Sequence, residues 1–313
     1  MTEGGANRGF PFPELRGPSL ESPEERAVRL LPADAVLQEG GDALFGSGNW
    51  ALFRRLDAPS GTRPETERKE PDLSWFRAGA VSPPRLAARR CTAVRGIGGG
   101  EFAETEHLLA ALAFWAGPRV VVHCETADDG DSGLPALDGS AKPWVEALSK
   151  LDGAAFAWRT WNAPLRWRMA WGNGFLEAEP SGAFEAEAVW ARDGLEQRAT
   201  FREGDDPERI WRARSFISET ELEGARKAGL LGGVRPEQGI LWRAEEGRLR
   251  VVEGELSDPD EFALHKLLDL VGDLALVAPG LPRLKIRARN AGHFQHHRLV
   301  AALLHVVPRE LRH

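Results

Sequence analysis

Between residues 25 and 55, apolar and polar positions alternate in short runs. "RAVRLLPADAVL" and "NWALFRRL" read as strands, with turns at Gly40-Gly41 and Gly46-Ser47-Gly48. "DAPSGTRPETERKEPD" is a polar, proline-rich loop. The period then lengthens. "AETEHLLAALAFWAG" carries helical spacing that stops at Gly117, "PRVVVHCE" is a strand, "DDGDSG" an acidic loop tip, and "DGSAKPWVEALSKLDG" a second helix ending near Gly153. From there the order repeats. "FAWRTWNAPLRWRMAWGNGFLEAEP", "EAEAVWA" and "GLEQRATF" are strands in which Trp alternates with Arg, and "SETELEGARKAG" is a short helix. "GILWRAEEGRLRVVEG" is a hairpin, "PDEFALHKLLDLVGDLALV" a long helix, "RLKIRAR" a strand and "HFQHHRLVAALLHVV" the last helix. Strands followed by helices, twice over, predict an α+β fold of two similar domains. The expected division is a loose arm over 1–16, a first domain over 17–153 and a second over 154–313.

Composition narrows the class. The chain has 313 residues, 42% hydrophobic and 28% charged, with a formal net charge of -7. That balance suits a globular protein and argues against a nucleic-acid binder, which needs a concentrated basic surface. No apolar run reaches the length of a membrane span, so membrane association is expected to be peripheral at most. The N-terminal stretch has no basic region followed by an apolar one, and Cys91 and Cys124 do not form a C-x-x-C pair. Both features predict a cytoplasmic protein with reduced thiols.

The helix "HKLLDLVGD" carries the chemistry. With His265 at zero and about 100° per residue, Asp269 falls near 40°, Asp273 near 80° and Lys266 near 100°. The leucines and Val271 fill the remaining face. His265, Asp269 and Asp273 thus form a ladder at i, i+4 and i+8. The competing reading is a solvated polar face. The ladder, however, lacks the Glu and Arg usual on surfaces, and His followed four later by Asp is a spacing by which a helix holds a metal from two points.

A catalytic metal needs a third protein ligand. Among the other histidines, His123 sits in an apolar strand and His305 follows a run of leucines, so both are expected to pack; His313 is terminal. His107 opens a helix directly after Glu106. One reading is helix-start chemistry with Thr105 or Glu104 as cap. The other makes His107 a ligand and Glu106 the base for an activated water. His293 follows Gly292, where a glycine would let the chain turn sharply, and Asp273 could hold its imidazole protonated. A charged imidazolium there suits a departing amine or a forming oxyanion.

These residues in this order resemble the zinc-dependent UDP-3-O-acyl-N-acetylglucosamine deacetylases, which act in lipid A biosynthesis in Gram-negative bacteria. The resemblance rests on "TEHLLAAL", "LPALDGSAKPWVEAL", "RARSF", "GLLGG", "HKLLDLVGDL" and "AGH", and runs from about residue 17 to 305. It implies His107, His265 and Asp269 as ligands of one zinc ion, with iron(II) an alternative for such a set. It implies Glu106 as general base and His293, steadied by Asp273, as general acid. Ser215, where the family has Thr, would stand beside the oxyanion. Lys266 would contact the polar end of the substrate, Phe216 would be a further substrate contact, and Leu222, Leu230 and Leu231 would line the path of its acyl chain. The implied fold is two domains, each a mainly antiparallel sheet with two helices on one face, with the site between them. The implied partner is a UDP-linked acylated amino sugar, and the expected state a monomer.

The sequence also departs from that pattern. "GPSLES" lacks the family's opening histidine, His296 replaces an Asn, Asn290 replaces a basic residue, and Ser218 and Glu219 enter the expected apolar channel. These departures leave two alternatives to the lipid A substrate. One is a relative acting on another sugar or lipid; the other is a retired enzyme that binds a sugar nucleotide or a protein.

Overall fold

The computed structural model describes residues 50–55, 91–92, 94–95, 101–102, 104–117, 120–125, 134, 137–150, 154–227 and 238–307. The arm over 1–16, the strand expected around 26–37, the loops at 57–72 and 128–133, and Leu230 and Leu231 lie outside them. In the first half, β1 (Trp50–Arg55) pairs antiparallel with β4 (Val120–Glu125), and β2 (Val94–Arg95) pairs with β3 (Glu101–Phe102). Helix α1 (Glu106–Leu112) lies between β3 and β4, and α2 (Lys142–Ser149) follows β4. Both helices fall inside the segments that the apolar spacing predicts, and both are shorter than predicted.

The second half is built on one six-stranded sheet. Its strands are β5 (Thr160–Asn162), β6 (Trp167–Trp171), β7 (Gly174–Pro180), β8 (Glu185–Arg192), β9 (Leu195–Arg202) and β13 (Leu281–Arg289), ordered β6-β7-β13-β8-β9 with β5 on β13. The meanders β6–β7 and β8–β9 are antiparallel, as tight turns require, but β13 runs parallel to both β8 and β5. The sheet is therefore mixed, with antiparallel pairings in the majority as expected and parallel ones only at β13. A strand reached through a long crossover can return parallel, and β13 is reached only after a helix. Period-two alternation sorts the side chains. Leu176, Ala178, Ala186, Ala188, Ala199, Phe201, Ile286 and Ala288 are buried. The opposite face carries ion pairs such as Arg198–Glu187 at 3.1 Å and Arg289–Glu196 at 2.9 Å. These solvated pairs add little stability; the buried face provides most of it.

That face is covered by α5 (Glu261–Leu274), which packs on β8, β9 and β13, and by α6 (His293–Val306), which packs on α5 and β6. Every residue of α5 except Lys266 is buried. Its apolar arc meets the sheet, while its polar ladder is buried against other elements of the chain, so the ladder is not a solvated face. Between β9 and α5 the chain makes the short helix α3 (Glu208–Trp211) and a three-stranded sheet of β10 (Phe216–Ser218), β11 (Ile240–Glu245) and β12 (Arg248–Glu253), with α4 (Glu219–Lys227) following β10. The β11–β12 hairpin turns at Glu246-Gly247 as expected. The parallel pairing of β10 with β11 was not anticipated. Trp190, Ile240, Trp242 and Phe262 form the cluster that joins this small sheet to α5. The chain is α+β with mixed sheets.

Candidate metal centre and its proton-handling groups

Two helices bring the candidate metal ligands together, and a third, α6, adds His293. Helix α1 crosses α5 at Gly272, where an added Cβ would stand 2.1 Å from the Glu106 carbonyl oxygen. This approach sets the first turn of α1, with Glu106 and His107, beside the His265–Asp273 ladder. The start of α5 is fixed independently. The Gln197 side-chain oxygen accepts the backbone N–H groups of Phe262 and Ala263 at 2.8 and 3.3 Å. Buried Glu261 accepts the Arg214 backbone N–H and its guanidinium, both at 3.1 Å. The same segment, between α3 and β10, turns the Ala213 carbonyl toward His265, whose Nδ1–H donates to it at 3.1 Å. That bond leaves the Nε2 lone pair of His265 available for a ligand.

His265 Nε2 lies 3.4 Å and His107 Nε2 3.8 Å from Asp269 Oδ1, and one ligand atom from each residue falls within 4.8 Å of the others. Zinc at its usual bond lengths would hold tetrahedral ligands about 3.4 Å apart, so small side-chain adjustments close the set. Asp269 Oδ1 is buried and has no hydrogen-bond partner among the described residues, while Oδ2 accepts the Lys266 ammonium at 2.9 Å. An orphaned buried carboxylate oxygen is costly unless something satisfies it, and a cation between two imidazoles would do so. Burial holds the pKa of His107 down at about 3, and burial also lowers that of His265. Burial pushes the Asp269 carboxyl up, but His265, Lys266, His293 and His107 outweigh it and keep the group ionised. Neutral imidazoles and an ionised carboxylate are the forms that bind a divalent ion.

A second trio, Asp273, His293 and His296, is equally close, but its atoms are already paired. Asp273 Oδ2 accepts both His293 Nδ1–H and His296 Nδ1–H at 2.8 Å, and Oδ1 accepts the Thr92 hydroxyl. His293 thereby points Nε2 toward the first trio, 3.5 Å from Glu106 Oε1 and 3.9 Å from Asp269 Oδ2. Burial pushes the His293 imidazolium down, yet Asp273, Glu106 and Asp269 outweigh it and hold its pKa at about 10. Burial raises the Glu106 carboxyl to about 8, against the pull of His293. Two groups that hold protons more tightly than usual thus face each other beside the candidate metal position.

The remaining expected residues lie in varied positions. The Lys266 ammonium sits on Asp269 and 5.3 Å above the Phe216 ring. Phe216 stacks on Phe262 and meets the His265 ring edge-on at 5.8 Å. Ser215 Oγ donates to the Gly139 carbonyl at 3.2 Å. Leu222 is half-buried on α4. Gly292 is extended, with φ at -143°, so the sharp turn before α6 is not made there. It is made by Asn290, at φ 51°, whose side-chain oxygen accepts the Ala191 N–H at 2.7 Å. His305 is exposed rather than packed: two residues beyond buried Leu303, it lies about 200° round the helix. Thr92 and Gly272 are not picked out by sequence reasoning, and His297 stands there only as one of the remaining histidines. Only Gly272, an interior helix glycine, gave a signal, since such a glycine often marks close packing.

A family model, that of the LpxC UDP-3-O-acyl N-acetylglycosamine deacetylases, matches residues 72–305. The chain belongs to this family. Among curated relatives, the probable UDP-3-O-acyl-N-acetylglucosamine deacetylase 1, mitochondrial, of Arabidopsis thaliana is 30% identical over 214 residues, 61% of this chain and 64% of the relative. The chain therefore matches a little under two thirds of that relative's length. The UDP-3-O-acyl-N-acetylglucosamine deacetylase of Anaeromyxobacter dehalogenans is 32% identical over 67% of each chain. That of Trichormus variabilis is 27% identical over 92% of this chain and 94% of its own. No helix among the described residues is long and apolar enough to cross a membrane.

Two departures from the deacetylase pattern have local explanations. His296 is buried as a second donor to Asp273, so it takes part in the proton-handling cluster. Ser218 and Glu221 form a capping box at the start of α4: Ser218 Oγ accepts the Glu221 N–H at 3.3 Å, and Glu221 Oε2 accepts the Ser218 N–H at 3.3 Å. Ser218, expected in the channel, is thus helix-start chemistry, while Glu219 in the first turn pairs with Arg243 at 3.6 Å.

Proposed function

We propose that this chain is a metal-dependent N-deacetylase of a UDP-linked acylated amino sugar, with UDP-3-O-acyl-N-acetylglucosamine as the leading substrate and zinc, or iron(II), as the ion. The observation that carries this reading is the orphaned Asp269 Oδ1 between His107 and His265, with the Glu106–His293 pair beside it. His107, His265 and Asp269 would hold the ion. When bound, it supplies Lewis acidity, making a water nucleophilic and taking up charge from the amide carbonyl oxygen. Glu106 Oε1 accepts the proton of the attacking water. His293, its Nδ1–H committed to Asp273, delivers a proton from Nε2 to the departing amine as the C–N bond breaks. Ser215 supports the carbonyl oxygen once its hydroxyl leaves the Gly139 carbonyl, and Lys266 swings from Asp269 to the polar part of the substrate. Phe216 and Leu222 offer apolar surface to the acyl chain.

The test pairs metal analysis with amine release from UDP-3-O-acyl-N-acetylglucosamine and from its unacylated analogue. Release from the acylated sugar at one metal per chain is the expected result. Release only from the unacylated sugar would reassign the substrate and keep the reaction class. Bound metal with no release from either would leave a binding protein.

A further inference from the structure

Thr92 is fully buried and touches both ends of the proton path without touching the candidate metal ligands. Its backbone N–H donates to Glu106 Oε2 at 3.0 Å. Its carbonyl accepts from the Thr105 backbone N–H and hydroxyl at 3.1 and 3.2 Å, which pins the residue to the start of α1. Its hydroxyl lies on Asp273 Oδ1, 3.0 Å from His297 Nε2 and 3.2 Å from His293 Nδ1.

The donor rules resolve this network. An ionised carboxylate only accepts, so the single Thr92 proton goes to Asp273. His293 Nδ1–H is committed to Asp273 Oδ2, so the Thr92 oxygen accepts from His297 Nε2–H. Each carboxylate then has defined contacts. Glu106 has Oε2 occupied by Thr92 and Oε1 facing His293. Asp273 has Oδ1 on Thr92 and Oδ2 shared by two imidazoles, so its carboxylate plane is held. We propose that Thr92 is a positioning residue that couples the two proton carriers. Its main chain fixes which oxygen of Glu106 is free to act, and its hydroxyl locks Asp273 so that His293 Nε2 stays aimed at that oxygen. The catalytic half of this inference rests on the deacetylase reading above. The geometric half does not.

The test compares Thr92→Val, which keeps shape and backbone but removes the hydroxyl, with Thr92→Ser, which keeps the hydroxyl. Loss of an orienting contact to a catalytic group predicts that kcat of the valine variant falls about 10–100-fold, with KM little changed and metal content retained; serine should recover most of the loss. A valine variant with native kcat, or a serine variant as impaired as valine, would overturn the proposal. If valine prevents folding, Thr92→Cys, a weak donor of similar size, takes its place with the same expectations. A readout that needs no turnover is the downfield proton resonance of His293 Nδ1–H. It should move in the valine or cysteine variant and return in the serine variant. An unmoved resonance overturns the proposal whatever the substrate assay gives, whereas a moved resonance in a chain that releases no amine would overturn only the deacetylase reading.

Discussion

An added Cβ on Gly272 would meet the Glu106 carbonyl oxygen at 2.1 Å, with the Glu106 carbonyl carbon at 2.9 Å. Both obstacles are backbone, so neither can rotate aside. Gly272 lies in α5, which carries His265 and Asp269; Glu106 opens α1, which carries His107. Two of the three proposed ligands therefore reach the third only through a glycine-dependent crossing. Gly272→Ala should cost about 1–3 kcal/mol through overpacking and lower metal occupancy in the same variant. Thermal unfolding and metal content measure the two effects; a stability loss with full metal occupancy would show that the crossing does not set the site.

Much of the site could be read from spacing, and the reasons are physical. The ladder of His265, Asp269 and Asp273 stood out because helical geometry puts i, i+4 and i+8 on one line and the apolar arc was complete without them. What spacing could not show was that this line is buried, since burial depends on α1 and α6, which are distant in sequence. Thr92 lies in "RRCTAVRG", where no period marks it; its role comes entirely from contacts 14 and 181 residues away. Strand β10 has three residues, too few for alternation to register, and its parallel partner lies beyond a helix. The Ser218–Glu221 capping box is legible as S-x-x-E, whereas the family resemblance places Ser218 and Glu219 in an apolar channel.

Glu106→Gln keeps the size of the side chain and removes its basicity. The variant should bind one metal ion and lose about 10²–10⁴-fold in kcat, the usual worth of a general base. Single-turnover amine release on metal-loaded protein measures this directly, and near-native turnover would remove Glu106 from the role.

His293→Gln should lower kcat by a comparable factor, because the departing amine loses its proton source. Asp273→Asn should cost less, about 10–100-fold, since the imidazole remains but its orientation and charge are no longer held. If Asp273→Asn were the more damaging of the two, Asp273 would be acting directly rather than through His293.

Stability of the metal-free chain should peak near neutral pH. Burial depresses His107 from 6.5 to about 3 and also lowers His265 and His296. The unfolded chain takes up those protons first, so stability falls as pH drops below about 6.5. Burial raises Glu106 from 4.5 to about 8, and at His293 its opposing effect is outweighed by Asp273, Glu106 and Asp269, which raise the group from 6.5 to about 10. A raised group contributes stability that is full below its unfolded value and lost as pH climbs through its folded value. Above about pH 6.5 both groups therefore cost stability, Glu106 until about pH 8 and His293 until about pH 10. Denaturant midpoints of apoprotein from pH 4 to 10 trace both limbs, and a flat profile between 7 and 10 would contradict the assigned environments.

The central claim is that one divalent ion sits among His107, His265 and Asp269. Anomalous diffraction from crystals of zinc-loaded protein tests it most directly. The predicted result is a single strong peak about 2.0–2.2 Å from His107 Nε2, His265 Nε2 and Asp269 Oδ1. A peak on the neighbouring Asp273, His293 and His296 trio instead, or no peak at either position, would contradict it.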